Sequence, residues 1–90
     1  NVAYLKRCLL DSISRGEAPL ASHLFYTQFL DDLNPEERAT GIECGLIWAA
    51  QAERMCFYTD YGMSAGMDKA RQFAQVHEIP HEYRYIGENP

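Results

Sequence analysis

The sequence has few cysteines, and their spacing does not suggest a zinc or redox centre. Its three cysteines, Cys8, Cys44 and Cys56, are far apart, and no Cys-x-x-Cys pair occurs. This spacing disfavours zinc ribbons and thioredoxin-like chemistry. Each cysteine lies among apolar neighbours, where a thiol usually behaves as a small buried hydrophobic residue. We therefore expect reduced cysteines and a cytoplasmic location.

Runs of basic residues and long apolar segments are missing as well. Eight lysines and arginines against thirteen aspartates and glutamates give a net charge of −5. A chain with this balance has no long-range attraction for a nucleic-acid backbone, so DNA and RNA are not expected partners. No segment approaches the ~20 apolar residues of a membrane span, and we expect neither a membrane segment nor a signal peptide. A small anion is still a possible ligand, because backbone N–H groups can bind it.

The length is that of one small domain, which we place at residues 1–90. Apolar residues make up 47% of the sequence, which permits a core, but a core of this size is thin. Such chains often associate with copies of themselves. We therefore expect a homo-oligomer, with Gly41, Gly45 and Trp48 close to where the copies meet.

Hydrophobic spacing and capping residues predict an alternation of helices and strands. The middle helix has the clearest start, with an N-cap at Asn34, a proline at the first position and Glu37 placed as in a capping box. Because helices separate the strands, we expect a parallel sheet of three strands. The predicted elements are a helix over 2–15, a strand over 20–26, a helix over 35–52, a strand over 54–59, a helix over 65–78 and a strand over 81–86.

A His-Glu-x-x-His motif runs from His77 to His81. Zinc proteases need this motif on one continuous helix, so that both imidazoles share a face. Pro80 interrupts such a helix, because it removes an N–H donor and forces the preceding residue out of the α region. We interpret the motif as a helix end followed by a strand, and we expect no metal and no cofactor. Four acidic residues are likewise interpreted as solvated helix-start residues rather than metal ligands: Asp31, Asp32, Glu36 and Glu37.

The segment from Thr59 to Met67 joins a predicted strand to a predicted helix. In open parallel sheets, ligands bind at the carboxyl ends of strands, where helix N-termini favour phosphate or carboxylate groups. Gly62 and Gly66 allow close backbone approach, and Ser64 can cap the helix. On local evidence alone, an ordinary turn between a strand and a helix fits as well.

Ser22 and His23 lie in the first predicted strand, and their position indicates a site at the same edge of the sheet. A lone histidine on an apolar strand is usually a core residue, but its place beside the predicted site favours binding. In this hypothesis backbone N–H groups of residues 64–67 hold an anionic group, Asp60 holds a hydroxyl, and His23 contacts a base or sugar edge. The predicted ligand-binding residues are Ser22, His23, Asp60, Gly62, Ser64, Gly66 and Met67.

Several segments in combination resemble a known group of proteins. The resemblance is to an uncharacterised family frequent in phage and bacterial genomes, which is similar in turn to nucleoside 2-deoxyribosyltransferases. It covers nearly all of the chain and implies a small three-layer Rossmannoid, flavodoxin-like α/β fold that here lacks its first strand. The segments are Ser22-His23-Leu24, Tyr26-Thr27-Gln28, Leu30-Asp31-Asp32, Pro35-Glu36-Glu37-Arg38, Gly41-Ile42, Gly45-Leu46, Trp48, Tyr58-Thr59-Asp60, Gly62, Ser64, Gly66-Met67 and Pro80-x-Glu82-x-Arg84.

The resemblance also implies which positions would carry chemistry. The transferases have an Asp-x-Gly-Thr-x-x-Glu pattern, whose glutamate attacks the sugar and whose aspartate assists. Ser64 and Ala70 stand at these two positions here. Displacing a base from a sugar requires one carboxylate at the oxocarbenium-like centre and one acid for the leaving group. We therefore expect no transferase chemistry and assign no catalytic residue.

The residues leave three functions open. The first is a small nucleotide- or nucleoside-binding domain. The second is an N-glycoside hydrolase or deoxyribosyltransferase with other acids, such as Asp60 together with Glu37 or Glu43. The third is an oligomeric, partner-binding protein that takes no small ligand.

Overall fold

The computed structural model describes residues 2–88, and within this range the chain forms four helices and two strands. The protein is thus mixed α/β, as predicted, but its sheet has two strands where three were expected. The predicted domain, residues 1–90, extends beyond the described range at both ends. The elements are α1 (Val2–Ser14), α2 (Ser22–Tyr26), α3 (Pro35–Ala49), β1 (Met55–Tyr58), α4 (Ala65–Val76) and β2 (His81–Arg84).

The chain divides into two compact units, residues 1–45 and residues 46–90, and the boundary falls within α3. None of the helices in residues 2–88 has both the length and the apolar character needed to cross a membrane. The two units differ in architecture, since both strands belong to the second.

In the unit of residues 46–90, strand, helix and strand follow one another as predicted. β1 and β2 are parallel, and Met55–Tyr58 pairs residue by residue with His81–Arg84. The prediction of parallel strands separated by a helix is therefore confirmed. Phe57 of β1, Ala74 of α4 and Ile79 are the buried apolar residues described in this unit.

The two ends of α4 are set by local signals that the sequence contains. At the N-terminus, the Ser64 hydroxyl accepts a hydrogen bond from the Met67 N–H at 3.1 Å. At the other end, Glu78 adopts the left-handed conformation, with φ of 55°, which is common just past a helix terminus. Pro80 follows and cannot continue the helix.

The strand predicted over residues 20–26 is wrong, because Ser22–Tyr26 forms α2. The Thr27 N–H donates to the His23 carbonyl at 3.1 Å, as in a helical turn. A short apolar run has too few residues for its spacing to distinguish a helix from a strand. The sheet of the described residues contains β1 and β2 and gives this segment no partner, so the helix satisfies its backbone instead.

α1 has the predicted bounds to within one residue but buries a different face. Hydrophobic spacing favours an inward stripe from Val2 to Ile13, yet these two residues are each 55% exposed. The buried residues of α1 are Cys8 and Ser12, which are four apart. The inward face is thus displaced by one residue, about 100° around the helix axis.

The glycines of α3 face neighbouring segments of the same unit. A Cβ atom placed on Gly45 would lie 2.6 Å from the Ser22 Oγ and 3.2 Å from the Ser22 Cβ. A Cβ on Gly41 would lie 3.5 Å from the Leu30 Cδ1 and 3.7 Å from the Tyr26 Cβ. Gly45 therefore lets α2 approach α3 closely. The expected meeting of copies near Gly41, Gly45 and Trp48 stays a prediction.

Candidate functional site

The candidate site is the connection between β1 and α4, which begins at the carboxyl end of β1. Within it, Tyr61 to Ala65 are exposed. Gly62 has a φ of 83°, and its N–H donates to the Thr59 carbonyl at 2.9 Å. Glycine tolerates this conformation because it has no Cβ. The tight turn ends the strand and directs the chain into α4.

The first turn of α4 presents open backbone N–H groups. The carbonyl of Ser64 accepts the Asp68 N–H at 2.9 Å, while its hydroxyl accepts that of Met67. Among residues 2–88, no backbone or side-chain acceptor bonds the N–H of Ala65 or of Gly66. A Cβ on Gly66 would meet nothing closer than the Ser64 Oγ at 4.0 Å. Open N–H groups at the positive end of a helix dipole favour an anion.

Asp68 places a negative charge in the same turn, and Arg71 pairs with it. The Nε and Nη2 atoms of Arg71 donate to the Asp68 Oδ1 at 3.0 and 2.7 Å. These hydrogen bonds are the main cause that holds the pKa of Asp68 below its ordinary value, and they raise the pKa of Arg71. The pairing offsets the repulsion that Asp68 would exert on an anion at the start of α4.

The carboxylate of Asp60 binds the backbone that follows β2. Asp60 is 6% exposed. Its Oδ1 accepts the Ile86 N–H at 3.0 Å, and its Oδ2 accepts the N–H groups of Gly87 and Glu88 at 2.9 and 2.8 Å. The hydroxyl of Tyr61 donates to the Glu88 Oε1 at 3.0 Å. The loops after the two strands are thereby fastened together. The predicted contact of Asp60 with a ligand hydroxyl stays a prediction.

Ser22 and His23 lie on α2, in the unit of residues 1–45. Ser22 is half-buried beside Gly45, and His23 is exposed. Because they are on a helix, the argument from strand ends no longer applies to them, and their role in binding stays a prediction. The other predicted residues are close in sequence and lie in the connection and the first turn of α4: Asp60, Gly62, Ser64, Gly66 and Met67.

The two histidines of the His-Glu-x-x-His motif belong to different elements. His77 is the C-cap of α4, and its ring stacks on Phe73 with centroids 4.2 Å apart. His81 is the first residue of β2 and lies edge-on to Phe57 at 6.2 Å. The interpretation as a helix end followed by a strand is confirmed. Over residues 2–88, no group of three or more His, Cys, Asp or Glu side chains is placed to hold a metal ion.

The acidic residues between α2 and α3 act as caps and ion-pair partners. The side chain of Asn34 accepts the Glu37 N–H at 3.2 Å, which confirms the predicted N-cap. The Glu37 carboxylate reaches back to the Asp31 N–H at 3.0 Å, rather than to Asn34 as in a capping box. Asp32 pairs with Arg38 at 3.1 Å. These contacts fix the loop that precedes α3.

Sequence reasoning did not single out Arg84 as a buried charge. It is 4% exposed. Its Nε donates to the Glu82 Oε2 at 2.9 Å and its Nη1 to the Tyr58 hydroxyl at 3.2 Å, and Glu82 also pairs with Arg54. Tyr58 and Arg84 are the last residues of the two strands and lie side by side. The spacing of Glu82 and Arg84 is the signal that could have revealed this, since residues two apart on a strand share a face.

A family profile described as a domain of unknown function, DUF7768, matches residues 1–84. The chain belongs to this family. No curated protein and no solved structure matches the chain significantly. The resemblance of this DUF7768 domain to nucleoside 2-deoxyribosyltransferases therefore stays a prediction.

Ser64 and Ala70, the residues that the predicted resemblance aligns with the transferase carboxylates, lie at the start and in the middle of α4. Ser64 caps α4 through its hydroxyl. Ala70 lies half-buried within α4. Neither side chain has a carboxylate, so neither can stabilise an oxocarbenium-like centre or protonate a leaving base.

Proposed function

We propose that this domain binds a nucleotide or nucleoside at the connection between β1 and α4, with the phosphate of a nucleotide at the start of α4. The observation that carries the proposal is the open first turn of this helix. The N–H groups of Ala65 and Gly66 have no acceptor among residues 2–88, and no side chain covers Gly66. Such N–H groups and the helix dipole together stabilise a phosphate.

The surroundings of this turn favour a nucleotide over inorganic phosphate. Tyr61 and Met63 are both exposed beside it, at 49% and 39%. An aromatic ring and a thioether offer apolar surface on which a base or sugar can pack. The connection also follows the carboxyl end of a parallel strand, the usual place of ligands in open α/β sheets.

The proposed ligand is held without loss of its base. By the resemblance to the transferases, Ser64 and Ala70 stand where those enzymes carry their two carboxylates, and neither residue has one. The carboxylate of Asp60 accepts hydrogen bonds from the backbone of residues 86–88, so in this proposal it holds the loops beside the site.

Titration of the protein with deoxyadenosine monophosphate, deoxyadenosine and inorganic phosphate tests the binding. We expect the monophosphate to bind most tightly, and the amide resonances of Ala65 and Gly66 to shift on its addition. Gly66→Val places a branched side chain over the N–H groups and should weaken binding by about 1.5–3 kcal/mol, the worth of a hydrogen bond to a charged group. Val76→Ala, a change at an exposed position at the far end of the same helix, is the control and should leave the affinity unchanged.

The chemistry is tested separately by incubating the protein with deoxynucleosides. We expect no free base above the background rate. Base release by the wild type that is lost in Asp60→Asn would instead favour the enzyme. Equal affinity of the wild type and Gly66→Val for the monophosphate would show that the site lies elsewhere.

We also propose a cytoplasmic location. Cys8, Cys44 and Cys56 are thiols rather than disulfide partners, as is usual in a reducing compartment. Fractionation of cells that express the protein would test this, and recovery outside the cytoplasmic fraction would contradict it.

A further inference from the structure

An apolar groove lies on the unit of residues 1–45, between α1 and the segment that leads into α2. Its volume is about 430 Å³. Its walls are mainly aliphatic and aromatic side chains, and Lys6 contributes a positive charge. The principal lining residues are Lys6, Leu9, Pro19, Leu20, Leu24 and Phe25.

The apolar surface continues from the groove onto an aromatic cluster formed by Phe25, Tyr26 and Phe29. Their rings meet edge-on, with centroids 5.0 to 5.8 Å apart. Phe25 belongs to both the groove and the cluster. Phe25, Phe29 and Leu20 are each more than half exposed. Contiguous exposed apolar residues of this kind are a common feature of protein interaction sites.

Leu33 follows the cluster and projects into solvent from a fixed loop. It is 92% exposed, yet its N–H donates to the Asp31 Oδ1 at 2.9 Å. The loop is fastened to α3 by Asp31 with Glu37 and by Asp32 with Arg38. A loop whose backbone is restrained before binding loses little backbone conformational entropy on association, which favours its apolar residue as an interface anchor.

We propose that two copies of this chain associate through this surface, with Leu33 of each copy seated in the groove of the other. The chain itself carries both complementary parts, an apolar anchor beside Asp31 and an apolar groove that contains Lys6. A two-fold axis satisfies both contacts at once and closes the assembly. Because Asp31 lies beside Leu33 and Lys6 lines the groove, Asp31 of one copy then faces Lys6 of the other.

The negative net charge of each copy opposes association, so the contact surfaces must attract one another locally. Each copy has a net charge of −5, so two copies repel one another at long range. Burial of Leu33 and the exposed aromatic rings supplies the attraction, and the Lys6–Asp31 pairs offset part of the repulsion. The interface is therefore expected to tighten when salt is added, because salt screens the overall repulsion while apolar contacts remain.

Sedimentation of the intact chain over a range of concentrations tests the proposal. The wild type should be a dimer at micromolar concentration. Leu33→Asp puts a charge into the groove and should raise the dimer Kd by about 30-fold or more, the effect of losing a central anchor. Ala21→Phe fills the groove, which Ala21 lines, and should have a similar effect. Val76→Asp changes a residue that is 76% exposed on α4, and it should leave the dimer intact.

A mixture of the two disrupted variants gives a sharper result. Leu33→Asp retains its groove and Ala21→Phe retains its anchor, so equal amounts should form a mixed dimer with one intact contact. Circular dichroism of each variant checks that the helices persist. A monomeric wild type, or a dimer that resists either substitution, would overturn the proposal. These outcomes do not depend on nucleotide binding, so a failure here leaves the proposed function standing.

Discussion

Different kinds of interaction stabilise residues 46–88 and residues 2–45, each within itself. In the first region, two strands pair in parallel, and the Asp60 carboxylate joins the loops that follow them. In the second, helices approach one another, most closely where Gly45 faces Ser22. Hydrogen bonds between residues far apart in sequence join the strands and loops of residues 46–88, whereas in residues 2–45 the missing side chain of Gly45 allows a close helix contact.

The contrast indicates that the two regions should respond to different substitutions. A region held by a buried carboxylate is damaged by removing an acceptor, because each lost partner leaves an N–H without a bond. A region held by close helix contact is damaged by adding a methyl group, because packed segments have little room to move.

The largest effect is expected for Asp60→Ala. This change leaves the N–H groups of Ile86, Gly87 and Glu88 without their acceptor and should lower the free energy of unfolding by about 2–3 kcal/mol. Denaturant unfolding measures the loss, and amide exchange at residues 86–88 should become faster. Asp60→Asn keeps one acceptor oxygen and should fall between the wild type and the alanine variant. An alanine variant as stable as the wild type would remove the basis of the contrast.

A smaller effect is expected for Gly45→Ala, which should lower the free energy of unfolding by about 1–2 kcal/mol through overpacking against Ser22. Gly41→Ala is the matched control on the same helix. Its new methyl group meets Leu30 and Tyr26 at ordinary contact distances, so the better helix propensity of alanine should raise stability by up to about 1 kcal/mol.

The same thermal or denaturant measurement serves both glycine variants. Adding Ser22→Gly to Gly45→Ala removes the contacting side chain and should recover most of the loss. If Gly41→Ala and Gly45→Ala changed stability equally, the close approach at Gly45 would not control the packing of this region.

The smallest effect concerns the pH dependence of the ion pair in α4. Arg71→Met removes the hydrogen bonds that keep the pKa of Asp68 low, so that pKa should return towards its ordinary value. A carboxylate with a lowered pKa in the folded state stabilises the fold above its unfolded pKa, and this contribution is lost as the pH falls through the folded pKa. NMR titration of Asp68 measures the shift.

The stability difference between the wild type and Arg71→Met should accordingly be present at neutral pH and vanish in strong acid. The effect on stability is small because the pair is exposed to solvent. An unchanged Asp68 titration in the variant would show that Arg71 is not the cause of its low pKa.

Two short apolar segments show how much of the fold could be predicted. Leu20 to Tyr26 and Met55 to Tyr58 look alike in composition, and both were predicted as strands. The second became β1 because β2 lies beside it in register, whereas the first became α2. The spacing of apolar residues in so short a run does not decide between the two structures, and the decision rests on pairing with distant residues.

The contacts of the candidate site that join residues close in sequence could be predicted. Gly62 forms a turn and Ser64 caps a helix, and the partners of both lie within a few residues along the chain. Both roles can be predicted from the residue type. The partners of Asp60 lie 26 to 28 residues away, and no local pattern connects them. The same distance along the chain hid the contact between Arg84 and Tyr58.

The sequence by itself determined the α/β character, the bounds of most helices, the parallel strands and the absence of carboxylates at Ser64 and Ala70. Capping residues, proline and hydrophobic spacing act over one or two helical turns, so these features need no knowledge of distant contacts. Tertiary structure decided the fate of residues 20–26, the face of α1 that is buried and the use of Asp60 by the loop after β2. Each of these depends on which distant group lies nearby to satisfy a backbone bond or fill a space, and only the folded chain brings such groups together.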